Sequence, residues 1–307
     1  VFLPTMWKAC LDAETYRDGG GTVAEVTQHR VGIHSRSAMA GVANIGDVVN
    51  WTGSDMAQAN WYAFGRLCWN TELSAAQIAE EFLKQTFSAD EHFVEPVRQL
   101  LLRSWDTAVS YMMPLGLHHI FSFGHHYGPE PWCAPPNPRL DWLPKYYHRA
   151  DSIGIGFDRT VRGSKAVLQY HEPLATFYGD LETCPEDYLL WFHHVPWGYV
   201  MRNGLTLWDN LCYIYNDGAE EAREFVDLWQ KARPYIDSER YERLLKRFER
   251  QAKDAEWWRD ACLLYFQRYS RRSIPADCLP PVHKLEDLMK FKLHIDNYTV
   301  ADMDNLP

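Results

Sequence analysis

Residues 239–269 read ERYERLLKRFERQAKDAEWWRDACLLYFQRY. Tyr241, Leu244, Leu245, Phe248, Ala252, Ala255, Trp258, Cys262 and Tyr265 fall on one stripe, and their period of about 3.6 residues holds for roughly eight turns. A segment this long and regular predicts a helix and, with its neighbours, a mainly α fold. Working back toward the start, the same period recurs. Residues 220–232 place Phe225, Leu228 and Trp229 inward, and residues 205–215 align Trp208, Leu211, Cys212 and Tyr215, which reads as two helices. Residues 185–194 suit a short helix stopped by Pro196, and residues 168–181 are ambiguous. Asp90 caps a helix whose stripe is Phe93, Val97, Leu100, Leu101, Trp105 and Ala108, ended by Pro114-Leu115-Gly116. Ser74-Ala75-Ala76-Gln77 is a capping-box pattern that turns Ile78, Phe82 and Leu83 inward. After Asp55, Met56, Asn60, Ala63 and Leu67 share a face.

Residues 1–50 differ. A helix near residues 6–16 is broken by Gly19-Gly20-Gly21. Residues 38–45, AMAGVANI, suit a strand buried on both faces, as in a parallel sheet or barrel. Beyond Ser273 the periodicity decays into a proline-bearing tail.

The formal charge of −10 disfavours nucleic acid as a partner, because phosphate binding needs a basic footprint. No apolar run is long enough for a membrane span. Seven scattered cysteines, an odd number without close pairs, argue for free thiols in a reducing compartment, so a cytoplasmic location is expected over a secreted one. Aromatic residues make up 14% of the chain, which favours carbohydrate or protein contact over phosphate chemistry.

Those rings crowd into residues 111–160, where prolines exclude one long helix and apolar surface excludes a disordered linker. A long irregular loop in a compact domain is usually functional. His118-His119, His125-His126 and, further on, His193-His194 invite a metal reading. Adjacent side chains point apart, and neither HExxH nor CxxC accompanies them, so they read as hydrogen-bonded loop histidines and no metal is expected. Asp141, Asp151 and Asp158 are the carboxylates a glycosidase would need in pairs, but spacing in sequence supplies no such geometry. Asp158-Arg159 reads more simply as a structural ion pair. Gly154-Ile155-Gly156 and Gly163-Ser164-Lys165 each lack a glycine of a phosphate-binding motif. Trp132 and Trp142 bracket the proline-stiffened loop CAPPNPRL, and a ring already held still loses little entropy on stacking against a sugar. The plainer alternative is that both rings pin the loop to the helices. Asn50-Trp51-Thr52 and Asn297-Tyr298-Thr299 are glycosylation sequons, relevant only to a secreted chain.

Four long blocks carry a resemblance: GVANIGDVVNWTGSDMAQANWYAFGRLCWN (41–70), PLGLHHIFSFGHHYGPEPW (114–132), YYHRADSIGIGFDRT (146–160) and CPEDYLLWFHHVPWGY (184–199). With WRDACLLYFQRYS (258–270), they resemble the C-terminal part of the α-glucuronidases of glycoside hydrolase family 67. The resemblance implies hydrolysis, with inversion, of the α-1,2 bond between (4-O-methyl)glucuronic acid and xylose in glucuronoxylan-derived oligosaccharides. It implies no metal or organic cofactor, and a homodimer formed through the helical domain. It also implies that residues 1–50 end a central β/α barrel and that residues 51–307 form the helical C-terminal domain. The family's catalytic carboxylates lie in the barrel, upstream of the position that Val1 matches, so no residue here inherits them. Trp132 and Trp142 become the candidate substrate-binding rings. Two rival readings remain, a non-catalytic protein-interaction module and a self-sufficient hydrolase built on Asp151 or Asp158.

Overall fold

The structure, a computed structural model, describes residues 1–16, 20–28, 30, 38–42, 52–124, 126–292, 295–296, 299–300 and 306–307. The α-helices are α1 (Pro4–Asp12), α2 (Val23–Thr27), α3 (Asp55–Trp69), α4 (Ala75–Thr86), α5 (Glu91–Met112), α6 (Pro144–His148), α7 (Leu174–Gly179), α8 (Leu189–Phe192), α9 (Leu207–Lys231), α10 (Ser238–Ser270) and α11 (Leu285–Lys290). Strands among the described residues are limited to two antiparallel ribbons, β1 (Gly154–Ile155) with β2 (Val195–Pro196), and β3 (Ile295–Asp296) with β4 (Thr299–Val300). The chain is mainly helical, as its periodicity requires.

Two compact units divide it: Val1–Thr107 with Arg223–Glu249, and Ala108–Ala222 with Arg250–Pro307. In the first, α4 opens on the capping box, Ser74 Oγ accepting from Gln77 N at 3.2 Å while Gln77 Oε1 accepts from Ser74 N at 3.0 Å. Its Ile78, Phe82 and Leu83 are buried with Phe93, Val97 and Leu100 of α5. Trp229 is fully buried among Phe93, Tyr241 and Phe248, and its indole donates to Tyr241 O at 3.1 Å. Asp55 is paired with Arg243 at 2.7 Å, which explains a carboxylate on the inward face of α3. That face is Asp55, Ala59, Ala63 and Leu67, one register away from the expected stripe at its first two positions.

In the second unit, Trp208, Leu211, Cys212, Tyr215 and Ala219 of α9 share one core with Ala255, Trp258, Cys262, Tyr265 and Phe266 of α10. The two helices expected over residues 205–232 are one helix, and Gly218 lies within it. A Cβ at Gly218 would sit 2.6 Å from the Tyr111 backbone nitrogen, so the missing side chain serves close packing rather than a turn. Residues 38–42 form no strand, and residues 43–45 lie outside the described residues. Gly19 and both sequons also involve residues outside the description. All seven cysteines are unpaired. Among the described residues no helix is long and apolar enough to cross a membrane.

Candidate functional site

The irregular segment after α5 is built as a hairpin pinned to α10. Glu130 N donates to Ile120 O at 3.0 Å, Ser122 N to Gly128 O at 2.9 Å and His126 N to Ser122 O at 3.1 Å. Tyr127 donates to Asp254 at 2.6 Å. At Gly128, where φ is +77°, a Cβ would reach within 2.2 Å of the Trp257 ring. Trp132 meets Tyr265 edge-on at 6.1 Å. Asp254, Trp257 and Tyr265 lie along one face of α10, so a single rigid helix fixes the whole hairpin.

Backbone strain collects here. Leu115 (φ 56°), His119 (φ 56°), His126 (φ 61°) and Arg149 (φ 45°) are left-handed without being glycine. Each costs of order 1 kcal/mol, and such residues gather where a site must be held in shape.

His119 ends a column of flat groups. Its ring stacks on Tyr147 at 4.6 Å, Tyr147 on Trp191 at 6.1 Å, and the buried Arg159 guanidinium lies 3.7 Å from the centre of the Trp191 ring. His118 Nδ1 and His119 Nδ1 are 2.9 Å apart, so one donates and the other accepts. Burial, and then the neighbouring His126, hold His119 below the usual imidazole value. Burial, then His119 and Arg159, hold His118 below it as well, so both rings of the pair are biased toward their neutral forms.

Two clefts flank the hairpin. One, of ≈ 330 Å³, is lined by His119, Phe121, Phe123, Gly124, His126 and Trp142. The other, of ≈ 520 Å³, includes Trp132, Phe123, Glu130, Trp257 and Phe291 in its walls. The two candidate tryptophans thus occupy different clefts, and Phe123 borders both. Trp142 is 54% exposed, with the Arg139 guanidinium 5.7 Å from its ring centre. Trp132 is partly buried against the core, whereas Trp142 is not packed into it.

The carboxylates are spent on local structure. Asp151 Oδ1 accepts from Ile153 N at 2.7 Å and Gly154 N at 3.0 Å. Burial pushes its carboxyl up, but those amides and His194 outweigh that and hold it below the usual value. Asp158 Oδ1 accepts from the Thr160 amide and hydroxyl at 2.9 and 2.7 Å, and Asp141 chelates Arg139. The expected Asp158–Arg159 pair does not form among the described residues. Neighbours in sequence point apart, and Arg159 turns instead onto Phe157 and Trp191 and donates to Trp191 O. His193 and His194 bond the Tyr178 and Gly156 carbonyls at 2.9 and 2.8 Å. His125 lies outside the described residues, and among those described no group of three or more His, Cys, Asp or Glu could hold a metal.

His148 fastens the base of the site. Ala150 N donates to its Nδ1 at 3.0 Å, so its proton is on Nε2, which donates to Pro131 O at 2.9 Å. Burial pulls its pKa from 6.5 to about 4, against the Pro131 bond and with the Lys145 charge. The folded state therefore binds this proton less readily than the unfolded chain. The stability is whole above pH 6.5 and falls as pH drops toward 4, by about 3 kcal/mol at most. Urea denaturation across this window is expected to show that loss, and His148→Gln to remove it from the pH dependence.

Ring-lined clefts on a strained, helix-backed hairpin offer apolar faces to a small ligand. Family comparison narrows the class. The Glycosyl hydrolase family 67 C-terminus model matches residues 52–278 and the Glycosyl hydrolase family 67 middle domain model matches residues 1–51, so the chain belongs to glycoside hydrolase family 67. Over 280 residues it is 34% identical to alpha-glucuronidase A of Emericella nidulans, covering 90% of this chain and 32% of that protein. A probable alpha-glucuronidase A of Aspergillus niger is 34% identical over 278 residues, with the same coverage of 90% and 32%. Alpha-glucuronidase A of Aspergillus tubingensis is 32% identical over 278 residues, again covering 90% and 32%. The chain thus spans about a third of the length of these relatives.

Proposed function

We propose that this chain is the C-terminal part of an α-glucuronidase that hydrolyses, with inversion, the α-1,2 bond between (4-O-methyl)glucuronic acid and xylose in xylan fragments. Its share is to wall the acidic-sugar site, while the acid and base are supplied by residues outside it. One observation carries this reading: Asp141, Asp151 and Asp158 are each committed to a turn or an arginine, whereas Trp142 stands open beside a cleft of monosaccharide scale. An inverting pair must stand roughly 6.5–9.5 Å apart around a water, with both carboxyls free to face it. Trp142, with His119 and His126, takes the glucuronic acid ring, and Trp132 borders the cleft next to it.

The experiment is glucuronic acid release from aldouronic oligosaccharides by the full-length protein carrying Asp141→Asn, Asp151→Asn or Asp158→Asn. Each variant is expected to keep kcat within roughly tenfold of wild type. A loss of several orders of magnitude would move the chemistry into this chain, and no release by the wild-type protein would refute the activity.

Residues 1–50 as the end of a β/α barrel, with residues 51–307 as the helical domain, belong to the same reading, supported by family models that meet at residues 51 and 52. So do a homodimer, to be checked by sedimentation, and a reducing compartment, supported by the seven unpaired thiols.

A further inference from the structure

The larger cleft has a wall that the family match does not cover. The C-terminus model ends at residue 278, yet Leu288 of α11 and the following Phe291 and Lys292 line this cleft together with Trp132 and Trp257. Phe291 packs edge-on against Trp257 at 5.7 Å, and Lys292 Nζ pairs with Glu130 at 2.9 Å. The tail is held in place rather than draped there. Asp260, fully buried in α10, accepts from Val282 N at 2.8 Å, from His283 N at 3.1 Å and from His283 Nδ1 at 2.8 Å.

We propose that residues 279–292 complete a second saccharide-binding cleft, one that takes the uncharged xylose backbone of the substrate beside the acidic-sugar cleft. Its ligand class rests on the glucuronoxylan reading, and its geometry does not. Three aromatic side chains, Phe123, Trp132 and Phe291, give apolar faces to pyranose rings, with Trp257 buried behind them. The Glu130–Lys292 pair offers an acceptor and donors with no net charge, which suits neutral hydroxyls and gives a carboxylate no advantage. The volume of ≈ 520 Å³ lies in the range of small-ligand sites. Phe123, 38% exposed, borders both clefts, so a chain leaving one enters the other across a single ring.

The test is calorimetric titration of the full-length protein with xylohexaose, which carries no acidic sugar. Lys292→Ala and Phe291→Ala are each expected to weaken binding roughly fivefold or more. Lys292 is 65% exposed, so its truncation leaves folding intact and keeps the measurement informative. Unchanged affinity in both variants, or no binding by the wild type, would overturn the proposal. A change of sedimentation coefficient in place of a change in affinity would also overturn it, assigning the tail to a contact between copies. Xylohexaose binding that responds to these variants, with no turnover of any glucuronosylated substrate, would sustain the cleft and remove only the enzymatic reading.

Discussion

Trp142→Ala in the full-length protein is expected to raise KM for glucuronosyl-xylose by roughly 30-fold, the cost of truncating a central aromatic anchor by about 2 kcal/mol. The ring is half exposed, yet it is not loose. Arg139 stands 5.7 Å above it, and Arg139 is itself held by Asp141 through Nε at 3.0 Å. Little further entropy is lost when a sugar stacks there. Ring stacking acts alike on bound substrate and on the transition state, so kcat should change much less than KM. Steady-state kinetics with the purified variant decide this, and an unchanged KM would take Trp142 out of the site. Trp132→Ala should differ in kind. Trp132 is partly buried against Tyr265, so its loss would appear chiefly as lowered stability.

Asp260→Ala carries the largest expected effect on stability. Asp260 and Arg259 are 0% and 1% exposed, with Oδ1 and Nη2 2.7 Å apart. Burial drives the Asp260 carboxyl up, but hydrogen bonds from His283 and the Arg259 charge outweigh it and hold it below the usual carboxylate value. Removing the carboxylate leaves a buried guanidinium whose other acidic neighbour, Glu256, stands at 3.6 Å. It also frees the Val282 and His283 amides. Breaking such a pair from one side costs about 3–5 kcal/mol. Urea denaturation of the full-length variant should show that loss, and a change below about 1 kcal/mol would mean that the Asp260 hydrogen bonds do not hold the tail.

Local chemistry made most helices readable. The Ser74–Gln77 capping box, the stop at Pro114-Leu115-Gly116 and the stripe of α10 are each written within a few residues, and each formed. Features that depend on a distant neighbour were not readable. Gly218 carries an intrinsic helix penalty of about 1 kcal/mol, and the approach of Tyr111 explains why a glycine stands there inside α9. Arg159 looked like the partner of its neighbour because sequence cannot show that Trp191 lies against it. The site was half legible. Rings and prolines marked the segment, but its division into two clefts depends on a hairpin closed by backbone bonds. Phe291 and Lys292 gave no signal at all, since α11 is a short helix whose position follows from Asp260.

The most direct measurement is the electron density of glucuronic acid bound to crystals of the full-length protein. The account predicts a sugar ring against Trp142, beside His119 and His126, with the carboxyl groups nearest its anomeric carbon coming from outside residues 1–307. A sugar that touches no residue of this chain, or one with Asp151 or Asp158 beside the anomeric carbon, would contradict it.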